Sequence, residues 1–260
     1  MGTIPVDPLW WQTLFDEVYL LTDARSVCNE ELTRREVDFL VAHLEIEKSD
    51  RILDLCGGHG RHSLELARRG YRAATVLDYS GYLVQLGKDK AREQGLPVRF
   101  VQADARRTGL SDGRFDCVLV MANSFGYFPD DRDNLQILCE AHRLCRPGGR
   151  LLLDLLDSGY VVAQFRPSSE HKATEDITVH RERELTDSLI RVRERVVSGE
   201  RGLLREGTYC ERLFREEEIE SLLRRAGFDR VSFKADFSSH NSPGDYGFMT
   251  QRVIVTAAKG

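Results

Sequence analysis

The segment Leu53-Asp54-Leu55-Cys56-Gly57-Gly58-His59-Gly60-Arg61-His62-Ser63 is the first place where residue types and spacing point to chemistry. Glycines let a chain turn tightly and approach a ligand with bare backbone, and a helix that opens there offers unpaired amide donors. Asp78 lies 20 residues past Gly58, at the end of the next apolar run, where an acidic side chain takes both hydroxyls of a ribose. Strand, glycines, helix, strand and acid in that order predict a site for an adenosine-type ligand. Gly58-His59-Gly60-Arg61-His62-Ser63 nearly fits the dinucleotide fingerprint, with Ser63 in place of the third glycine. Asp54 favours a different ligand. Its carboxylate would oppose a pyrophosphate, whereas it suits a molecule carrying an ammonium and a sulfonium, such as S-adenosylmethionine.

The elements that must position these residues follow from hydrophobic period. Residues 9–21 and 29–44 read as amphipathic helices joined by a polar link. Apolar strand runs at 51–56, 73–77, 98–101, 116–121 and 150–155 then alternate with helical runs at 61–69, 80–93 and 133–144. That rhythm predicts βαβ units, hence an α/β, doubly wound parallel sheet. From about 176 to 213 the period changes to two, with breaks at Thr186-Asp187 and 199–202, which predicts antiparallel strands. A helix at 215–225 and strand runs at 230–237 and 248–257 complete the chain. The expected organisation is a helical cover at 1–48, an α/β core at 49–158 and 214–260, and a β-rich insertion at 159–213 that serves as lid, acceptor site or dimer contact.

Across 260 residues, 37 Lys plus Arg against 42 Asp plus Glu leave a net charge of −5, which argues against a nucleic-acid partner held by general basicity. No run is long and apolar enough for a membrane span, and the N-terminal stretch lacks the pattern of a secretory signal, so the expectation is a cytoplasmic protein. The 6 cysteines form no C-x-x-C pair; reduced thiols are expected, with no structural metal.

Several segments resemble, in order, the motifs of the class I S-adenosylmethionine-dependent methyltransferases. Residues 52–60 are similar to motif I, with Cys56 where the family has its first glycine. Val76-Leu77-Asp78-Tyr79-Ser80 resembles the ribose-binding acid and its following segment, and Gln102-Ala103-Asp104-Ala105 resembles the loop that meets the adenine amino group. Residues 116–121 resemble motif II, and Arg146-Pro147-Gly148-Gly149 the turn before the fifth strand. The resemblance implies a Rossmann-like, seven-stranded sheet whose last strand is antiparallel, in keeping with the strand runs at 230–237 and 248–257. It also implies that Asp54 and Gly58 line the methionine end, Asp78 the ribose, and Asp104 with Ala105 the adenine, with Cys56 and Tyr79 in the cofactor-binding set. Tyr19 and Arg25 would meet the methionine carboxylate, and Asn123 joins the cofactor-binding set.

Ligands in open α/β sheets sit beyond the carboxyl ends of the strands. The loop Ala122-Asn123-Ser124-Phe125-Gly126-Tyr127-Phe128 resembles the S-x-G-H-type loop of small-molecule N-methyltransferases acting on amino sugars, with Tyr127 at the His position. Tyr127 and His240, the latter in the loop between the last two strands, are the catalytic candidates; Tyr246 lies in the same loop. Alternation puts Arg191, Arg193 and Arg195 on one face of the insertion, either to recognise an anionic acceptor or to pair across strands with glutamates. The expected activity is methyl transfer to a small-molecule acceptor by in-line displacement, from S-adenosylmethionine, in a possible homodimer. A nicotinamide-dependent oxidoreductase and a non-catalytic nucleotide-fold binding protein are the alternatives.

Overall fold

The computed structural model describes residues 3–237 and 247–260. A 3-10 turn at Trp10–Gln12 leads to α1 (Glu17–Thr22), α2 (Ala24–Val27) and α3 (Glu30–His43). The core then runs β1 (Ile52–Leu55), α4 (Arg61–Arg68), β2 (Ala74–Asp78), α5 (Gly81–Glu93), β3 (Arg99–Gln102), β4 (Phe115–Val120), α6 (Asp131–Leu144), β5 (Cys145–Leu156) and α7 (Ser158–Ala163). Four strands follow, β6 (Ser168–Lys172), β7 (Ile177–Thr186), β8 (Leu189–Ser198) and β9 (Gly202–Arg212). The chain closes with α8 (Glu216–Arg225), β10 (Phe228–Phe237) and β11 (Arg252–Lys259).

The main sheet has 7 strands in the order β10-β11-β5-β4-β1-β2-β3. Neighbours from β3 to β5 are parallel, and β11 is antiparallel to both β5 and β10. This is the expected Rossmann-like sheet with an antiparallel last strand. Strand order reverses between β1 and β4, which opens a crevice at their carboxyl ends.

β1, β2 and β4 are buried along their whole length, as central parallel strands covered on both faces must be. On one face Ile137, Leu138 and Leu144 of α6 and Leu222 and Leu223 of α8 pack against Val118, Leu151 and Leu153. On the other, Val37 and Leu40 of α3 pack against Ile52, Leu119, Leu152 and Ile254. Thus α3 is a layer of the core, and the part of the chain lying over the crevice is shorter than the expected cover. The expected helix at 9–21 is also interrupted, because Asp16 adopts extended backbone and accepts from the Val18 and Tyr19 amides at 2.9 and 3.0 Å, capping α1.

The insertion is an antiparallel sheet of 4 strands, β6-β7-β8-β9. Sequence period predicts three of them; β6 is a short, polar edge strand whose pattern reads as loop. Its inner face, carrying Arg181, Val192, Glu194, Arg205, Tyr209 and Glu211, meets the N-terminal segment. Arg205 donates to the Leu14 carbonyl at 2.9 Å and to Asp16 at 2.8 Å, and Arg181 pairs with Asp23 at 3.1 Å. Arg191, Arg193 and Arg195 lie on the outer face, where Arg193 pairs with Glu182 and Arg195 with Glu206. Cross-strand pairing, one of the two uses expected, is thus seen for Arg193 and Arg195.

Candidate active site

A cavity opens in the crevice between β1 and β4. Tyr19, Asp54, Cys56, Gly58, Asp78, Tyr79, Asp104, Ala105 and Tyr127, all expected from sequence, line it. Near the end of β1 lies Asp54, fully buried, whose Oδ2 accepts from Ser63 Oγ at 3.0 Å. Its Oδ1 has no hydrogen-bond partner among the described residues. Burial raises the Asp54 carboxyl, against the lowering effect of His62 and Ser63. A buried carboxylate oxygen without a partner is costly, and an ammonium donor in the cavity would satisfy it. Gly57 is needed beside it, since a Cβ there would fall 2.6 Å from the Asp54 carboxyl carbon.

The loop then passes through positive φ at Cys56 (58°), Gly58 (56°) and Gly60 (73°) before α4 begins. Cys56 therefore holds a left-handed conformation that glycine adopts without strain. Asp78, at the tip of β2, accepts from the Gly58 amide at 2.7 Å and the Ser80 amide at 2.9 Å. Burial pushes it up to about 6 in spite of these bonds.

At the opposite end Arg106 donates to Asp104 at 2.7 Å and stands over the rings of Phe128 and Trp11, with Trp11 edge-on to Tyr79. Burial would raise Asp104, but the Arg106 bonds outweigh it and hold the carboxyl below its usual range. Aromatic rings beside a hydrogen-bonding carboxylate suit a flat heterocycle with an amino group. The cavity thus presents an acid for an ammonium, an acid for a diol and an aromatic end for a base, a set that fits S-adenosylmethionine.

Asn123 is placed differently from expectation. It lines a second, adjoining chamber rather than the first cavity, and its Oδ1 accepts from the Leu156 amide at 3.2 Å. Ala122 and Asn123 hold φ of 54° and 55°. Asp154 pins this loop: its Oδ2 accepts from Ala122 N at 2.9 Å and its backbone oxygen from Asn123 N at 2.9 Å. Arg252 binds Asp154 at 2.6 Å and Glu36 at 2.7 Å, and Glu36 in turn meets His62 at 3.0 Å and Arg61. Burial would raise Glu36, yet Arg61, His62 and Arg252 hold it well below the usual range. Sequence reasoning missed Glu36, Asp154 and Arg252; a charged residue inside an otherwise apolar strand was the signal available at the last two. The side chain of Arg25, and all of His240 and Tyr246, lie outside the described residues.

The second chamber, of about 560 Å³, lies between the inner face of the four-stranded sheet and the N-terminal segment. Phe15, Tyr19, Val27, Ala122 and Tyr127 border both spaces. Tyr127 stacks on Phe15 at 5.5 Å and lies 5.1 Å from Trp10. Burial pushes its hydroxyl well up, which keeps it protonated near neutral pH.

Fold and site together define a Rossmann-like protein whose crevice is shaped for an adenosyl ligand with an amino-acid tail. A methyltransferase domain model matches residues 52–149. The chain is 28% identical to the putative methyltransferase YqeM of Bacillus subtilis (strain 168), over 82% of this chain and 88% of that one. It is 27% identical to the glycine/sarcosine N-methyltransferase of Halorhodospira halochloris, over 83% and 79%. Among solved structures, an S-adenosylmethionine-dependent methyltransferase from Clostridium acetobutylicum ATCC 824 superposes with a TM-score of 0.74 at 16% identity, covering 94% of this chain and 96% of that one. The chain is a class I S-adenosylmethionine-dependent methyltransferase. S-adenosylmethionine is its cofactor, which sets aside the nicotinamide alternative. When bound, it supplies a methyl group on a positively charged sulfur, an activated carbon for in-line displacement. All 6 cysteines are free, and among the described residues no helix is long and apolar enough to cross a membrane.

Proposed function

We propose that this methyltransferase acts on a small molecule held in the chamber beneath the four-stranded sheet. The observation that carries this is the junction of the two spaces at Phe15, Tyr19, Val27, Ala122 and Tyr127. An acceptor in the chamber would reach the methyl group past these side chains. The volume of about 560 Å³ is that of a typical small-ligand pocket. The N-terminal segment, tied to the sheet by Arg205 and Arg181, closes over the chamber and helps exclude water. Solved structures of similar fold include an amino pentose methyltransferase from Micromonospora echinaspora and the sugar N-methyltransferase KedS8 from Streptoalloteichus, which is in keeping with a small acceptor.

In this reading Asp54 and Gly58 hold the methionine end, Asp78 the ribose, and Asp104 with Ala105 the adenine, while the protein's work in catalysis is alignment of nucleophile, carbon and sulfur. The test is release of S-adenosylhomocysteine across a library of small amines, alcohols and carbon acids, run beside total RNA and unfolded protein. Turnover on small molecules is expected; turnover confined to RNA or protein would overturn the reading.

A further inference from the structure

Four carboxylates face the chamber from its walls besides those of the cofactor cavity: Asp23, Glu170, Glu194 and Glu211. Three are engaged. Asp23 takes Arg181 and the Thr22 hydroxyl, Glu194 takes Arg181 and Arg205, and Glu170 pairs with His180. The Glu211 carboxylate makes no hydrogen bond or ion pair with any described residue, although the residue is part-buried and lines the chamber. Its position is fixed on both sides: Arg212 N donates to the Gly126 carbonyl at 2.7 Å, and Cys210 Sγ lies 3.7 Å from the Tyr127 carbonyl. These bonds pin the end of β9 to the loop where the two spaces meet. The walls nearby are aromatic, with Trp10 5.6 Å from Tyr209 and 5.1 Å from Tyr127, and ring faces attract cations.

We propose that Glu211 is the catalytic base of this enzyme and that the acceptor is a small primary or secondary amine, which enters as its ammonium and gives its proton to the Glu211 carboxylate. This rests on the small-molecule reading above and deepens it. The proton passes from nitrogen to a carboxylate oxygen, leaving a neutral amine and a carboxylic acid. The freed lone pair then forms the C–N bond as the C–S bond breaks, and that bond's electron pair stays on sulfur, cancelling its charge. The product is the N-methylated ammonium. An alcohol is too weak an acid for a carboxylate to deprotonate, so the same wall discriminates against hydroxyl acceptors.

The surroundings tune the group for this task. Burial raises Glu211 to about 7, Arg181 and Arg183 of β7 pull it back, and Asp23 pushes it up. A base poised near neutrality balances proton affinity against the fraction ionised. The hydroxyls of Tyr19, Tyr127 and Tyr209 are all pushed up by burial, so they remain protonated and cannot replace it. His171 of β6 also faces the chamber, with Nε2 on the Thr22 carbonyl at 3.2 Å.

The test compares wild type with Glu211→Gln on a panel of small primary and secondary amines and their hydroxyl isosteres. It reads S-adenosylhomocysteine release against pH, with calorimetric affinity for S-adenosylhomocysteine as the measure of an intact fold and cofactor site. The wild type should turn over amines in preference to alcohols, with kcat/KM rising through a limb near pH 7. Glu211→Gln should lose about 100-fold or more, and its remaining activity should follow the amine's own ionisation, while cofactor affinity stays within about twofold. A variant that keeps wild-type activity and the limb near pH 7 would overturn the role of Glu211. Preference for alcohols or carbon acids would overturn the amine assignment and leave the small-molecule reading standing. Failure of every small molecule, with turnover on RNA or protein, would overturn both.

Discussion

Binding of S-adenosylhomocysteine should expel a proton from the protein in mildly acidic solution, because Asp78 must be ionised to accept from both ribose hydroxyls. Burial raises the empty-site carboxyl to about 6, against the Ser80 and Gly58 amides. At about pH 5.5 roughly three quarters of the molecules carry that proton, so binding should release about 0.8 proton and be about fourfold weaker than on the neutral plateau. At about pH 8 the release should vanish. The linkage has a second face. A carboxyl raised above its unfolded value favours the folded state below the unfolded pKa, and that advantage is lost as pH rises from about 4 through about 6. At neutral pH the ionised group opposes folding by an amount on the order of 2–3 kcal/mol, which ligand binding offsets. Asp78→Asn should flatten the pH profile and, by losing charge-assisted bonds to the hydroxyls, weaken binding by about 3 kcal/mol, roughly 100-fold. Titration calorimetry in two buffers of different ionisation enthalpy measures both the affinity and the proton count. Flat affinity without proton release at about pH 5.5, or an Asn variant within about threefold of wild type, would refute the assignment of Asp78 to the ribose.

Three further outcomes follow from the geometry. Arg252→Met removes the partner of two buried carboxylates, Glu36 and Asp154, and should destabilise the protein by about 3–5 kcal/mol; a loss below about 1 kcal/mol in urea unfolding would contradict the network. Cys56→Gly should bind cofactor and fold within about 1 kcal/mol of wild type, whereas Cys56→Val, β-branched at φ 58°, should lose about 2 kcal/mol; equal melting temperatures for the two would show that the left-handed backbone is not maintained. Arg205→Ala cuts the ties to Leu14, Asp16 and Glu194, so amide exchange over residues 10–23 should speed up at least about tenfold, with a higher acceptor KM; unchanged protection would mean that the aromatic contacts alone hold the segment.

Much of the cofactor site is legible in the sequence because it is local. Asp54, the glycines, α4 and Asp78 belong to one βαβ unit, in which strand and helix periods place each residue relative to the next. The second chamber is different. Alternation groups Arg191, Arg193 and Arg195 on one face and Arg181, Arg183, Glu194 and Glu211 within the other set, but a period of two does not say which face turns inward. Asn123 shows the same gap: its place after β4 marks it as near a ligand, while its hydrogen bond to the Leu156 amide gives it a structural task.

By itself, then, the chain determines a doubly wound sheet, the glycine loop on its crevice and the acid that follows, since these depend on short-range pattern and backbone freedom. Tertiary structure alone decided the rest. Glu36 and Arg252 meet across 216 residues of sequence, and Arg181 is drawn to Glu194 and Asp23, while the Glu211 carboxylate has no hydrogen-bond or ion-pair partner among the described residues. Which charges pair and which remains open to an acceptor is set by three-dimensional competition among side chains, and no one-dimensional pattern encodes it.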